Sequence, residues 1–282
     1  MGHFTAGDGA RIAFRDEGEG RPLVLLHGLM AHGGFFAPQQ ALASDFRIVT
    51  IDFRGHGDSA GAETGLTVGR LAEDVSGLAD LLDLEGAIGI GWSLGASVLW
   101  RVLAGPAGHR FAGAAVIDMT ARVLNGDGWT LGLSAEVCEA RSRAIAEDFE
   151  TFAAGAGAAI FAQPLGDSAR PLAGWASEEF ARNDGAAMGA LWESLVGEDL
   201  RPLLGRIRQP TLVVHGAQSH LYGADTAGHL VGALPDARAV RFERSGHAPH
   251  LEEPERFNDL IRDFAASLPP VLHTNATALT EE

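Results

Sequence analysis

The 282-residue chain contains no lysine; all 21 of its basic residues are arginine. That absence removes Schiff-base chemistry and any Walker-type phosphate loop, both of which need an ε-amine. A single cysteine, Cys138, excludes an internal disulfide and predicts a reducing, cytoplasmic setting. No run approaches the roughly eighteen consecutive apolar residues of a transmembrane helix. Residues 1–6 lack the basic and apolar regions of a secretory signal, and Ala6 stands where a myristoylation signal needs Ser or Thr.

Positive charge is scarce as well. With 37 acidic residues the formal net charge is −16, which argues against nucleic acid or an anionic membrane as a partner. What is present is a globular composition, 46% hydrophobic and 21% charged. At this length it can bury a sizeable core, and it excludes disorder as the dominant state.

Apolar runs at residues 23–26, 48–51, 87–90, 114–117 and 211–214 are unbroken rather than alternating. Strands covered by helices on both faces require such runs. Val68, Leu71, Val75, Leu78 and Leu82 follow helical spacing, as do Phe257, Leu260, Ile261, Phe264 and Leu268 just after Pro254. Strands alternating with helices predict an α/β fold with a mostly parallel, doubly wound sheet. Residues 120–205 break this rhythm: no strand is evident there, and helices are expected over 135–152 and 177–195. They read as a helical cap inserted into a core formed by 1–119 and 206–268. The tail 269–282 is expected to be flexible, and its Asn275-Ala276-Thr277 sequon is read as chance.

Gly91-Trp92-Ser93-Leu94-Gly95 is a G-x-S-x-G pattern, weak by itself in a chain with 37 glycines. Context gives it weight, because it follows one apolar run and opens a helical one. A serine on that sharp turn is a candidate nucleophile, and the helix start aims the N–H of Leu94 at a developing anion. Leu26-His27-Gly28-Leu29 ends an earlier strand, so the Leu29 N–H is the candidate second oxyanion donor. Asp52, Arg54 and Asp58, in the glycine-rich loop 52–59, are expected to hold that loop rather than react. Near the C-terminus, Ser245-Gly246-His247-Ala248-Pro249-His250 follows a strand-like stretch at 239–242. A histidine on such a loop can reach the serine, and His247 is the candidate base. Trp92 is expected to line the substrate pocket, and His250 to line it or to be structural. No acidic or sulfur ligands accompany the two histidines, so no metal is expected.

Together HGL, DFRGHGDS, GWSLG and SGHAP resemble the α/β-hydrolase superfamily over nearly the whole chain. GWSLG and GHAP, with Asp127-Gly128-Trp129, look more narrowly like the pimeloyl-carrier-protein methyl ester carboxylesterases. The resemblance implies ester hydrolysis through an acyl-serine, with no cofactor. It also implies an acid three residues after the glycine closing the seventh strand, here Gly216, yet Ser219 stands there. A serine cannot stabilise an imidazolium. Some members carry the acid after the sixth strand, where this chain has Asp118. Asp118 is the favoured acid, Asp225 an alternative, and the absence of an effective acid a third reading.

A serine carboxylesterase is the leading expectation. Hydrolysis of a lactone or C–C bond on the same residues is the runner-up, and a catalytically weak receptor is the alternative outside enzymes. Haloalkane chemistry is disfavoured, because it needs a carboxylate where Ser93 stands. Residues 120–205 carry six arginines against thirteen acidic residues, and only Arg141 and Arg143 lie close together. Docking of an acyl carrier protein is therefore disfavoured, and a small-molecule ester is the expected partner.

Overall fold

The unbroken apolar runs become the parallel strands of one eight-stranded sheet in the computed structural model, which describes residues 1–167 and 169–270. In chain order the strands are β1 (Gly2–Thr5), β2 (Arg11–Glu17), β3 (Arg21–Leu26), β4 (Phe46–Ile51), β5 (Ala87–Trp92), β6 (Phe111–Ile117), β7 (Thr211–Gly216) and β8 (Ala237–Phe242). They lie in the order β1-β2-β4-β3-β5-β6-β7-β8. From β4 to β8 all pairings are parallel, whereas β1–β2 and β2–β4 are antiparallel. Every residue of β5 and β7 is buried, which is why neither shows polar alternation.

The sequence pattern does not reveal β1 and β2. They form an edge hairpin that buries only Phe4, Ile12 and Ala13, too few apolar positions to stand out from a loop. The two helical stripes become α1 (Val68–Leu81) and, at the other end of the chain, Pro254–Ser267; the turn at Ser93 opens α2 (Leu94–Ala104). In the stretch 120–205 the chain forms α3 (Ala135–Glu147), α4 (Phe149–Ala159), α5 (Arg170–Ala181), α6 (Gly185–Val196) and the short α7 (Arg201–Leu204). It adds no strand to the sheet. The helix expected over 135–152 is broken at Asp148, whose carboxylate accepts from Thr151 N–H at 3.2 Å and so starts a new helix. The one expected over 177–195 is broken before Gly185, where Asp184 accepts from Ala187 N–H at 2.8 Å. In both places a side chain competes for the backbone donors that a continuous helix would use.

The remaining helices are α8 (Ala224–Ala233), α9 (Pro249–Glu252) and α10 (Pro254–Ser267). Most of the tail expected to be flexible, with its sequon, lies outside the described residues. Arg54 is wholly buried after β4, with its Nε 2.5 Å from Asp74 and its Nη1 2.7 Å from Asp8. Breaking a buried pair of this kind costs about 3–5 kcal/mol. Asp52 accepts from the N–H of Gly33 (2.7 Å) and Asp58 (3.0 Å), so Asp52 and Arg54 do brace the loop. Asp58 takes part through its amide, and its carboxylate is half exposed beside Arg15.

The loops after β3, β5, β6, β7 and β8 all leave the carboxyl ends of neighbouring parallel strands. In an open α/β sheet, sites form at this edge.

Candidate active site

Ser93 sits between β5 and α2 with φ 53° and ψ −119°, a conformation side chains rarely adopt. The turn persists because its surroundings hold it. Ser93 N–H donates to Ile117 O at 3.0 Å, tying it to β6. A Cβ on Gly91 would stand 2.5 Å from Gly95 O, and one on Gly95 would overlap the carbonyl of Leu26, so only glycine fits either place. The Ser93 hydroxyl is free to serve as a reactant, since it makes no capping bond to its helix.

The loop after β3 is held by two buried histidines. His27 Nδ1 donates to Gly28 O at 2.8 Å, and its Nε2 accepts from Phe53 N–H at 2.9 Å. His56 Nδ1 donates to Arg54 O at 2.9 Å, and its Nε2 accepts from Met30 N–H at 3.1 Å. Met30 is thereby fixed at φ 66°. Neither Leu29 N–H nor Leu94 N–H has a protein acceptor among the described residues. Sequence reading gave neither histidine a role, although each precedes a glycine just after a strand.

These bonds require neutral rings. Burial pushes His27 and His56 each down to about 3, and His250 likewise. Between pH 6.5 and 3 the unfolded chain therefore binds protons that the folded chain refuses. Stability is full above pH 6.5 and is lost as pH falls, by about 1.4 kcal/mol per pH unit for each histidine. Glu252, pushed up to about 7 by burial, works the other way and loses stability as pH rises from 4.5. Three groups outweigh one, so urea unfolding should show a midpoint that falls from pH 7 to pH 5. His250→Phe should remove one histidine's share of that slope; an unchanged slope would contradict this account.

His247 follows β8. Its Nδ1 donates to Asp118 Oδ2 at 2.5 Å, and its Nε2 has no partner among the described residues. Three contacts hold its backbone: His247 N–H to Ile160 O, and Trp92 Nε1–H to His247 O, both 2.8 Å, with Glu252 accepting from Gly246 N–H at 2.7 Å. Glu252 also accepts from Ala162 N–H at 2.7 Å, which ties this loop to the segment after α4. No sequence signal marked Glu252.

Asp118 directly follows β6 at φ 46°, is buried, and is anchored by its N–H to Val214 O at 2.8 Å. Its Oδ2 accepts a second bond, from Ser219 Oγ at 2.6 Å. Ser219 Oγ itself accepts from Leu221 N–H at 3.2 Å, which leaves its proton for Asp118. The residue standing where an acid was expected thus contacts the carboxylate that touches His247. Asp225 lies exposed on the first turn of α8, away from this network.

Ser93, Trp92, His247 and the loop at Gly28 to Met30 line one cavity of about 490 Å³. Its far walls come from α3, α4, α5 and α6, with Phe152, Phe180 and Trp192 among them. No hydrogen bond joins the Ser93 hydroxyl to His247, although both border this space; such contacts often tighten only when substrate is bound. Trp92 is nearly buried and stacks on Phe35 with ring centroids 5.9 Å apart. His250 corrects an expectation. It is fully buried, does not line the cavity, and packs against Phe36, Trp92 and Phe257. Being on α9, it is turned into the core even though it lies only three residues from His247.

This fold and this set of loops define a hydrolase class, and the chain belongs to it: the family model described as alpha/beta hydrolase fold matches residues 21–254. The chain is 31% identical over 260 residues to the pimeloyl-[acyl-carrier protein] methyl ester esterase of Stenotrophomonas maltophilia, covering 90% of this chain and 96% of that one. It is 27% identical to the AB hydrolase superfamily protein YisY of Bacillus subtilis, over 95% of this chain and all of that one. Among solved structures, an esterase from Exiguobacterium antarcticum superposes with a TM-score of 0.89 at 25% identity, covering 95% of this chain and 100% of the other. The relatives of this chain thus include ester-cleaving enzymes. Among the described residues no helix is long and apolar enough to cross a membrane.

Proposed function

We propose that this chain is a serine carboxylesterase that hydrolyses a small, free carboxylic ester through an acyl-serine intermediate. One observation carries the reading: His247 commits Nδ1 to Asp118 and leaves Nε2 unpartnered beside the cavity that Ser93 also lines. In this reading Nε2 takes the Ser93 proton as Oγ bonds to the ester carbonyl carbon. The oxyanion that forms is stabilised by the N–H groups of Leu29 and Leu94. Collapse breaks the bond to the alcohol, which leaves with the proton from His247. Water then repeats the cycle on the acyl-serine, giving the free acid and restoring Ser93. Asp118 keeps the proton on Nδ1 and stabilises the imidazolium.

Residues 1–119 and 206–268 form the catalytic core in this proposal. Residues 120–205 serve as a cap that keeps water from the reaction, and Trp92 walls the cavity. No cofactor is required. The acidic balance of the cap opposes an acidic carrier protein, which favours a free ester. A carboxylate against His247 also supports this reading over a catalytically weak receptor, the alternative that rested on Ser219.

A fluorophosphonate ester tests the assignment, since it is attacked by an activated serine with loss of fluoride. Peptide mapping should find one adduct, on Ser93, formed in step with loss of p-nitrophenyl acetate turnover. An adduct on another residue, or none, would reject the proposal.

A further inference from the structure

The cavity's charge is opposite to the protein's. In a chain of net charge −16, the residues lining it include one arginine, Arg141 on α3, and no carboxylate among the described residues. Arg141 is half-buried and forms no ion pair or hydrogen bond with another described residue; its guanidinium carbon lies 5.6 Å from the centroid of the Trp192 ring. Its neighbour Arg143 differs on each count, being exposed, 3.9 Å from Glu139, and absent from the cavity wall. Arg141 is also close enough to oppose the upward push of burial on the Tyr222 phenol, and the Tyr222 ring lies 6.4 Å from that of His247. Arg141 and Tyr222 line the same cavity as Ser93 and His247.

A guanidinium removed from water without a partner is costly, and an aromatic face repays only about 0.5–1 kcal/mol at an exposed site. The contact with Trp192 also leaves the five in-plane N–H donors unused. A planar carboxylate matches that fork with two parallel bonds. Anions gain nothing from the protein's overall field, so an anionic group has to be recognised inside the cavity.

We infer that the cavity selects esters carrying a free carboxylate remote from the scissile bond, with Arg141 as the specificity-determining residue that binds it. This rests on the esterase reading above and names its substrate class.

Two pairs of substrates, differing in which side of the ester bears the charge, provide the test. Monomethyl adipate against methyl hexanoate places the carboxylate in the acyl part; 6-acetoxyhexanoate against hexyl acetate places it in the alcohol part. In at least one pair kcat/KM should favour the anion by about tenfold or more, and Arg141→Met should collapse that ratio by on the order of 10–100-fold, mainly through KM. Arg141→Lys should restore part of it. No preference for the anion in either pair, or equal losses for anionic and neutral esters, would overturn the inference. Calorimetry of adipate binding to the Ser93→Ala protein separates this claim from the esterase reading. Binding that is lost on adding Arg141→Met upholds the anion site even if no ester is turned over; absence of binding rejects it even if neutral esters are cleaved.

Discussion

The Ser93→Ala protein should fold as its parent does and lose ester hydrolysis by on the order of 10⁴-fold or more. The large effect follows from the proposed chemistry, in which Ser93 Oγ is the protein atom that bonds to the ester carbonyl carbon. The small effect on stability follows from the structure. The Ser93 hydroxyl makes no capping bond, and the turn is held by the Ser93 amide and the two glycines, all of which remain. Alanine meets the same strain at φ 53° that serine already bears. What activity remains would come from binding and the oxyanion donors alone. The measurement is turnover of p-nitrophenyl acetate beside a thermal melt. Retention of more than a tenth of parental turnover with an unchanged melt would remove Ser93 from the mechanism.

Asp118→Asn should cost on the order of 10⁴-fold in turnover, by analogy with the same change in serine proteases. Asparagine keeps the shape of the side chain but can present an N–H to Nδ1. The proton of His247 then moves to Nε2, the nitrogen that accepts from Ser93 in the proposed mechanism. Ser219 sharpens the test, because its hydroxyl is 2.6 Å from the same carboxylate oxygen. Ser219→Asp in the parent would set two carboxylates together, where both cannot remain charged. In the Asp118→Asn background it supplies the missing charge and should recover turnover by about tenfold or more. An Asp118→Asn protein with near-parental turnover would leave the carboxylate a structural role only.

Sequence reading was strongest where the relevant physics is local. Buried parallel strands need unbroken apolar runs, and the five that became β3 to β7 were visible as such. The hairpin of β1 and β2 was not, because its exposed face and short length leave no periodic signal. The helix breaks at Asp148 and Asp184 escaped notice for a different reason: helical periodicity continues through a capping residue that restarts the helix.

By itself the sequence determined the alternation of the buried parallel strands with helices, the serine on a glycine-flanked turn, and a histidine after the last strand. Each depends on residues within a few positions of one another. Only the tertiary structure decided which carboxylate meets His247, since Asp118 and Asp225 are both acids between nucleophile and histidine. The choice is made by the pairing of β6 with β7, which carries Asp118 across 129 positions of chain to Nδ1. It likewise turned His250 into the core and Arg141 into the cavity while leaving Arg143 outside. Direction of a side chain is set by what its element packs against, and that information is spread over the whole fold rather than held in a motif.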